Sequence, residues 1–224
     1  MQDLGPPPGA VPMTDQDFHD LRDRLLASRP AAAGDQFWVF AYGSLIWKPA
    51  GEIAEQKPAL LRGWHRKFCF RILRYRGCDE RPGLMMTLDR GGAVRGVIQR
   101  LRRAHVGESL EEVLRREHGY KPSAHQAIWV TVSCEGRRIP ALAFVINRQA
   151  HNYLGDLTEQ QQAAMIAQAC GHVGTCAEYL KNTVEHLEAL GIHDRYLWRL
   201  QRLVAAEIDA GATSSGTASG GPGC

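Results

Sequence analysis

The chain has 224 residues, 44% hydrophobic and 23% charged, which suits one domain with tails, or two small domains, around a sizeable core. Twenty-seven Lys and Arg against 24 Asp and Glu leave a net charge of +3, too small to point to nucleic acid. No apolar run is long enough to span a membrane, and the first thirty residues lack the apolar core of a secretory leader, so neither membrane insertion nor secretion is expected.

In chain order, residues 1–12 contain Gly5-Pro6-Pro7-Pro8-Gly9 and read as disordered. Thr14 opens a short helix with Phe18, Leu21 and Leu25 on one face. Pro30 to Gly34 reads as a linker, so residues 1–36 are expected to form an N-terminal extension. Phe37 to Tyr42 is an apolar strand ending at Gly43. From Trp64 to Ile72, Trp64, Phe68, Phe70 and Ile72 fall on one strand face, and His65, Lys67 and Arg71 on the other. Leu84–Leu88 and Val94–Leu101 are further strands. Ala127–Ser133 and Ile139–Ile146 flank a hairpin turn.

Helices follow. Thr158 starts one that ends near Gly171. Thr175 to Glu178 reads as a capping box for a second, closed by Gly191. Asp194 caps a third, with Leu197, Leu200, Val204 and Ile208 as its stripe. Residues 209–224 are Gly/Ser-rich and read as a flexible tail. Strands followed by helices, without strand–helix alternation, predict an α+β fold with a mostly antiparallel sheet.

The six cysteines show no C-x-x-C spacing, and the nine histidines form no H-x-x-x-H or H-E-x-x-H pattern. Neither a metal site nor a disulfide framework is expected, and reduced thiols fit a cytoplasmic location. The basic residues Arg62, Arg66, Lys67, Arg71, Arg74 and Arg76 follow one another with no acid between them. They form either a solvated strand face or a site that attracts an anion.

One carboxylate breaks the pattern. Glu108 to Glu117 reads as a helix stopped by Gly119, with Leu110, Val113 and Leu114 as its apolar residues. Position i+7 from Leu110 is Glu117. A helix docked by that stripe points Glu117 inward, where desolvation raises its pKa and makes it a better base. Alternatively Glu117 frays into solvent or pairs with a structural arginine. Glu111–Arg115 and Glu112–Arg116 have the spacing of surface ion pairs. In Tyr42-Gly43-Ser44-Leu45, a strand runs into a turn whose N–H groups can form an anion-binding concavity, or simply end the strand. Ser44 lacks a G-x-S-x-G elbow, and no nucleotide-binding glycine motif occurs.

Several segments, in one order, resemble the ChaC-like glutathione-specific γ-glutamylcyclotransferases. They are Trp38 to Pro49, Gly63 to Cys69, Arg76-Gly77 with Pro82-Gly83, Arg115-Arg116-Glu117 leading to Gly119-Tyr120, Ala141 to Phe144, Tyr153-Leu154-Gly155, and Gly174 to Leu180. Ala41 stands where family members usually have Gly. The resemblance covers roughly residues 37–208, the expected catalytic domain. It implies a β-barrel-like antiparallel sheet with packed helices. It also implies a cytosolic lyase that takes glutathione as its small-molecule substrate, without a cofactor; no nucleic-acid or membrane partner is expected from the charge and apolar runs. The family's catalytic glutamate maps onto Glu117, its substrate loop onto Tyr42, Gly43, Ser44 and Leu45, and a second acidic position onto Glu108. Tyr153 and Tyr179 are candidate hydroxyl donors. A cyclotransferase for another γ-glutamyl amine, a non-catalytic γ-glutamyl-binding domain and a Ser44- or Cys-dependent amidase are the competing readings.

Overall fold

A computed structural model describes Pro6 and residues 9–215, the last two by backbone alone. Its contacts divide the chain into two compact units, one of residues 9–67 and 87–150, the other of residues 68–86 and 151 onward.

The first unit holds a barrel with helices packed on it. Strand β1 (Val11–Pro12) precedes helix α1 (Asp15–Ala27), which Thr14 and Asp17 close with a reciprocal capping box. Strand β2 (Trp38–Ala41) is buried throughout, as its unbroken apolar run requires. Strands β3 (Ile53–Ile72) and β4 (Gly83–Leu101) are long and reach beyond this unit. Helix α2 (Val106–Glu117) is followed by β5 (Tyr120–Lys121), β6 (His125–Cys134) and β7 (Arg137–Ile146). The barrel order is β2-β4-β3-β6-β7. β6 and β7 form the expected hairpin. Its two-residue turn, Glu135-Gly136, has φ of 48° and 75°, the left-handed pair that matches the twist of the strands. The parallel pairings of β7, Val39 with Leu142 and Leu88 with Val145, complete an otherwise antiparallel sheet.

Two strand expectations change. β3 begins at Ile53 rather than Trp64, because a polar alternating segment through Glu55 and Lys57 is still a good strand when one face meets solvent. β4 is one strand where two were read. Gly91 and Gly92, with φ of 112° and 67°, bend the chain without ending the element.

The N-terminal stretch is not a loose extension. Val11 and Pro12 pair with Lys121 and Tyr120, and Met13 N–H donates to the Gly119 carbonyl at 3.1 Å. Phe18 and Leu25 of α1 are buried in one cluster with Leu110, Val113 and Leu114 of α2. The remainder of the stretch read as disordered, residues 1–5, 7 and 8, lies outside the described residues.

The other unit is mainly helical. It holds α3 (Glu159–Gln168), the short strands β8 (Cys170–Gly171) and β9 (Gly174–Thr175), α4 (Cys176–Ala189) and α5 (Arg195–Ser215). Thr158 and Gln161 close the capping box of α3. Only half of the box expected at α4 forms. Thr175 accepts from Glu178 N–H, but the Glu178 carboxylate takes the Arg76 guanidinium at 2.8 Å, a charge-assisted bond stronger than the backbone one it forgoes. Asp194 caps α5 through the N–H groups of Tyr196 and Leu197. Leu197, Leu200 and Val204 are buried, whereas Ile208 is 45% exposed, because the helix continues past its last packed turn to Ser215. The expected tail is thus helical over its first residues, and 216–224 lie outside the described ones.

Candidate active site

The strand-ending loop is held from beneath by two buried side chains. After β2, residues Ser44–Ile46 form one 3-10 turn, with Ile46 N–H donating to the Gly43 carbonyl at 2.9 Å. The N–H groups of Ser44 and Leu45 precede the first bond of that turn. Arg66 is 3% exposed, and its Nε donates to the Tyr42 carbonyl at 2.8 Å. Gln99 is 1% exposed and donates to the Leu45 carbonyl at 2.9 Å. The Leu45 side chain is buried in the same cluster as Leu110 and Leu114. Loop and helix α2 therefore share one apolar core. Buried polar groups that are bonded in this way fix a backbone at little cost, whereas unbonded ones would destabilise it.

Helix α2 docks as its periodicity predicts. Leu110, Val113 and Leu114 are buried, and Glu117 continues the stripe at the last helical residue. Its side chain keeps 17% exposure. Desolvation pushes the carboxyl up to about 7, against a smaller lowering by the Arg116 charge. The reading of Glu117 as an inward carboxylate thus describes its position better than a frayed, solvated end. Two histidines flank it. His125 donates from its ring to the Glu117 backbone and is lowered to about 4, mainly by desolvation. His118, bonded to Ser123 Oγ at 2.8 Å, is likewise lowered to about 4. Both are neutral near pH 7, so neither adds charge beside Glu117. A cleft of about 870 Å³ opens alongside, between α1 and the start of β6, but Glu117 and the loop do not line it.

Arg116 departs from its sequence reading. Glu112, its expected ion-pair partner, instead accepts from Gly51 N–H at 3.0 Å. The Arg116 guanidinium turns to the loop. Nη2 donates to Ser44 Oγ at 3.0 Å, Nη1 donates to the Lys48 carbonyl, and Nε lies 3.9 Å from Glu117 Oε1.

The family model for ChaC-like protein matches residues 37–207 of the chain. The chain belongs to the ChaC-like family. Among similar proteins is the glutathione-specific γ-glutamylcyclotransferase of Escherichia coli K12, 34% identical over 78% of this chain and 76% of that one. Another is the mouse glutathione-specific γ-glutamylcyclotransferase 1, 31% identical over 69% of this chain and 70% of that one. A crystal structure of the yeast γ-glutamyl cyclotransferase specific to glutathione superposes with a TM-score of 0.69 at 21% identity. It covers 77% of this chain and 96% of its own, and shares the fold. The ChaC match begins at Phe37, so α1 and its contacts with α2 lie outside it.

Of the residues read from the ChaC resemblance, Tyr42, Gly43, Ser44, Leu45 and Glu117 lie in the barrel unit, and Arg116 connects the loop to Glu117. Glu108 is not brought to them. It is 75% exposed and bonds His105 at 3.2 Å. Nine residues before Glu117, it sits about half a turn round the helix and roughly 13 Å along it. Tyr153 belongs to the other unit, where it bridges to Phe70. Tyr179 is buried there beneath Arg76, against Phe68. Gln99 and Arg116 have no individual site role in the sequence reading, and Arg66 enters it only within a run read as a strand face or an anion-attracting site. Arg66 is visible as part of the basic run and of the Gly63 to Cys69 segment, and Gln99 as one polar residue inside an apolar strand. The run itself is dispersed. Arg66 is buried under the loop, while Arg76 binds the Thr175 carbonyl and Glu178. Among the described residues no group of three or more His, Cys, Asp or Glu is placed to hold a metal ion, and no helix is long and apolar enough to cross a membrane.

Proposed function

We propose that this protein cleaves glutathione by cyclotransfer in the cytoplasm, releasing 5-oxoproline and cysteinylglycine, with Glu117 as the proton-transferring base. The observation that carries the reading is the Glu117 carboxylate. It is raised to about 7 at the end of α2, on a helix that shares its core with the Tyr42–Leu45 loop and is tied to it by Arg116.

The substrate brings its own nucleophile. The α-amine of the γ-glutamyl group reaches the γ-carbonyl carbon and closes a five-membered ring, so the protein's main task is to fold and hold the substrate. Well-oriented intramolecular attack is worth up to ~7–11 kcal/mol. The amine arrives as an ammonium and must lose a proton. A carboxylate whose pKa lies near the working pH is suited to take it and to return it to the departing cysteinyl nitrogen, a contribution of about 10²–10⁴ in rate. The N–H groups at the Gly43-Ser44-Leu45 turn would hold the α-carboxylate or the developing oxyanion. One C–N bond forms and one breaks; the attacking ammonium gives up two protons in becoming the lactam N–H, one before attack through Glu117 and one after it, the departing nitrogen takes up two and leaves as an ammonium, and no water or cofactor is consumed. Glu108 and Tyr153 are given no step.

The test is product identity with two substrates. Unmodified glutathione gives 5-oxoproline and cysteinylglycine in equal amounts with no early glutamate. N-acetylglutathione, whose nitrogen is no longer a competent nucleophile, is not cleaved. Glutamate as the first product, or turnover of the acetylated substrate, would replace ring closure with hydrolysis.

A further inference from the structure

We propose that Arg116 is the positioning residue of the site, its single guanidinium fixing the substrate loop and Glu117 in one geometry and tuning the proton affinity of that carboxylate. The inference rests on the reading of Glu117 as the base. Its own support is geometric. Three nitrogens of one planar group address three places: Ser44 Oγ at 3.0 Å, the Lys48 carbonyl, and Glu117 Oε1 at 3.9 Å. Ser44 and Lys48 bracket the 3-10 turn, and Lys48 N–H donates back to the Ser44 carbonyl at 2.8 Å, so the fork grips both ends of one closed turn. The partner that sequence spacing offered, Glu112, is engaged elsewhere by Gly51 N–H. The side chain is only 27% exposed, which limits the solvent screening of its charge.

The geometry separates two roles. A guanidinium is a rigid fork, and an ammonium is a point charge on a flexible stem. Holding Ser44 and Lys48 together needs the fork. Acting on Glu117 at 3.9 Å, beyond direct hydrogen-bond distance, needs only the charge. Two further titratable groups beside Glu117 are His118, next in the chain, and His125 from β6, which bonds its backbone. Both are neutral through the working range, with pKa values of about 4. Arg116 is the charge that lowers the proton affinity of Glu117. Removing it leaves desolvation unopposed and raises that affinity further.

The pH dependence of kcat and kcat/KM for three variants tests this. In Arg116→Gln, we expect kcat/KM at pH 7 to fall by at least about tenfold and the acid limb of the profile to move to higher pH. In Arg116→Lys, we expect that limb to stay near its wild-type position while KM rises several-fold, because the charge survives and the fork does not. Glu117→Gln, run alongside, shows whether the base itself is assigned correctly. Arg116→Gln with a wild-type acid limb, beside an inactive Glu117→Gln, would overturn the Arg116 inference alone. An active Glu117→Gln would overturn the reading beneath it. Should Arg116→Gln fail to fold, Arg116→Lys decides: raised KM with an unmoved limb supports the proposal, and wild-type KM overturns it.

Discussion

Helix α2 carries two glutamates six residues apart, each with 17% of its side chain exposed, and the protein shifts them in opposite directions. Glu111 is lowered. The Arg115 hydrogen bond at 2.7 Å is the main cause, and with the charges of His19, Arg115 and Arg22, the last at 2.8 Å, it outweighs the desolvation that would raise Glu111. Glu117 is raised to about 7 by burial desolvation, which the Arg116 charge at 3.9 Å, with its hydrogen bonds committed to the loop, only partly opposes. The exposed side-chain fraction is equal, but Glu117 is far more deeply desolvated and Glu111 has the short cationic contacts, so depth of burial and charge partners together separate the two carboxylates. One face of the helix uses its acid to hold α1 in place. The other end keeps its acid short of partners, and so able to take a proton near neutral pH.

The largest expected effect breaks this comparison at its chemical end. Glu117→Gln keeps the shape and removes the proton acceptor, and turnover should fall by a factor of about 10²–10⁴. Glu111→Gln should stay within a few-fold of wild type. Comparable losses in steady-state assays of both purified variants would mean that the two glutamates do not differ in role.

The next effect lies on the structural face. Phe18 is 5% exposed and packs under the Arg115 guanidinium, 4.4 Å from the ring centre. Phe18→Ala should cost about 3 kcal/mol or more by denaturant unfolding, while the folded fraction keeps its turnover. A negligible loss would show that the N-terminal helix is an appendage after all.

Stability against pH sharpens the contrast further. The Glu117 pKa is raised in the fold, so its favourable contribution is present below about 4.5 and is lost as pH rises through about 7. Glu117→Gln should therefore be more stable than wild type above pH 7, by at most about 3 kcal/mol. For Glu111 the folded pKa is lowered. Its contribution is present above about 4.5 and fades as pH falls through the folded value. Glu111→Gln should be less stable at pH 7 by about 1–2 kcal/mol, and the difference should shrink in acid. Denaturant midpoints of both variants between pH 2.5 and 8.5 measure these slopes, and slopes of the same sign would remove the distinction.

How much of this was legible in sequence follows from the range of each interaction. Glu117 was legible because helix periodicity alone places it beside Leu110 and Leu114. The loop after β2 was legible as a strand running into Gly43. Arg116 was not, since the local i, i+4 template paired it with Glu112, while its actual partners at Ser44 and Lys48 lie 72 and 68 residues away. Glu178 misled for the same reason, its capping role yielding to Arg76, 102 residues distant. Glu108 was mapped by resemblance, and helix geometry set it on the far side. The closed barrel depends on β7 pairing in parallel with β2 and β4, which no local pattern encodes.

Site-specific titration tests the central claim most directly. With ¹³C-labelled glutamate, the side-chain carboxyl resonances of Glu111 and Glu117, assigned through their Gln variants, can be followed by NMR from pH 4 to 9. Glu117 should titrate near 7, and Glu111 should already be ionised over most of the range, with its midpoint below 4.5. Both carboxyls titrating together near 4.5 would contradict the account, because Glu117 would then have no greater proton affinity than an ordinary surface carboxylate.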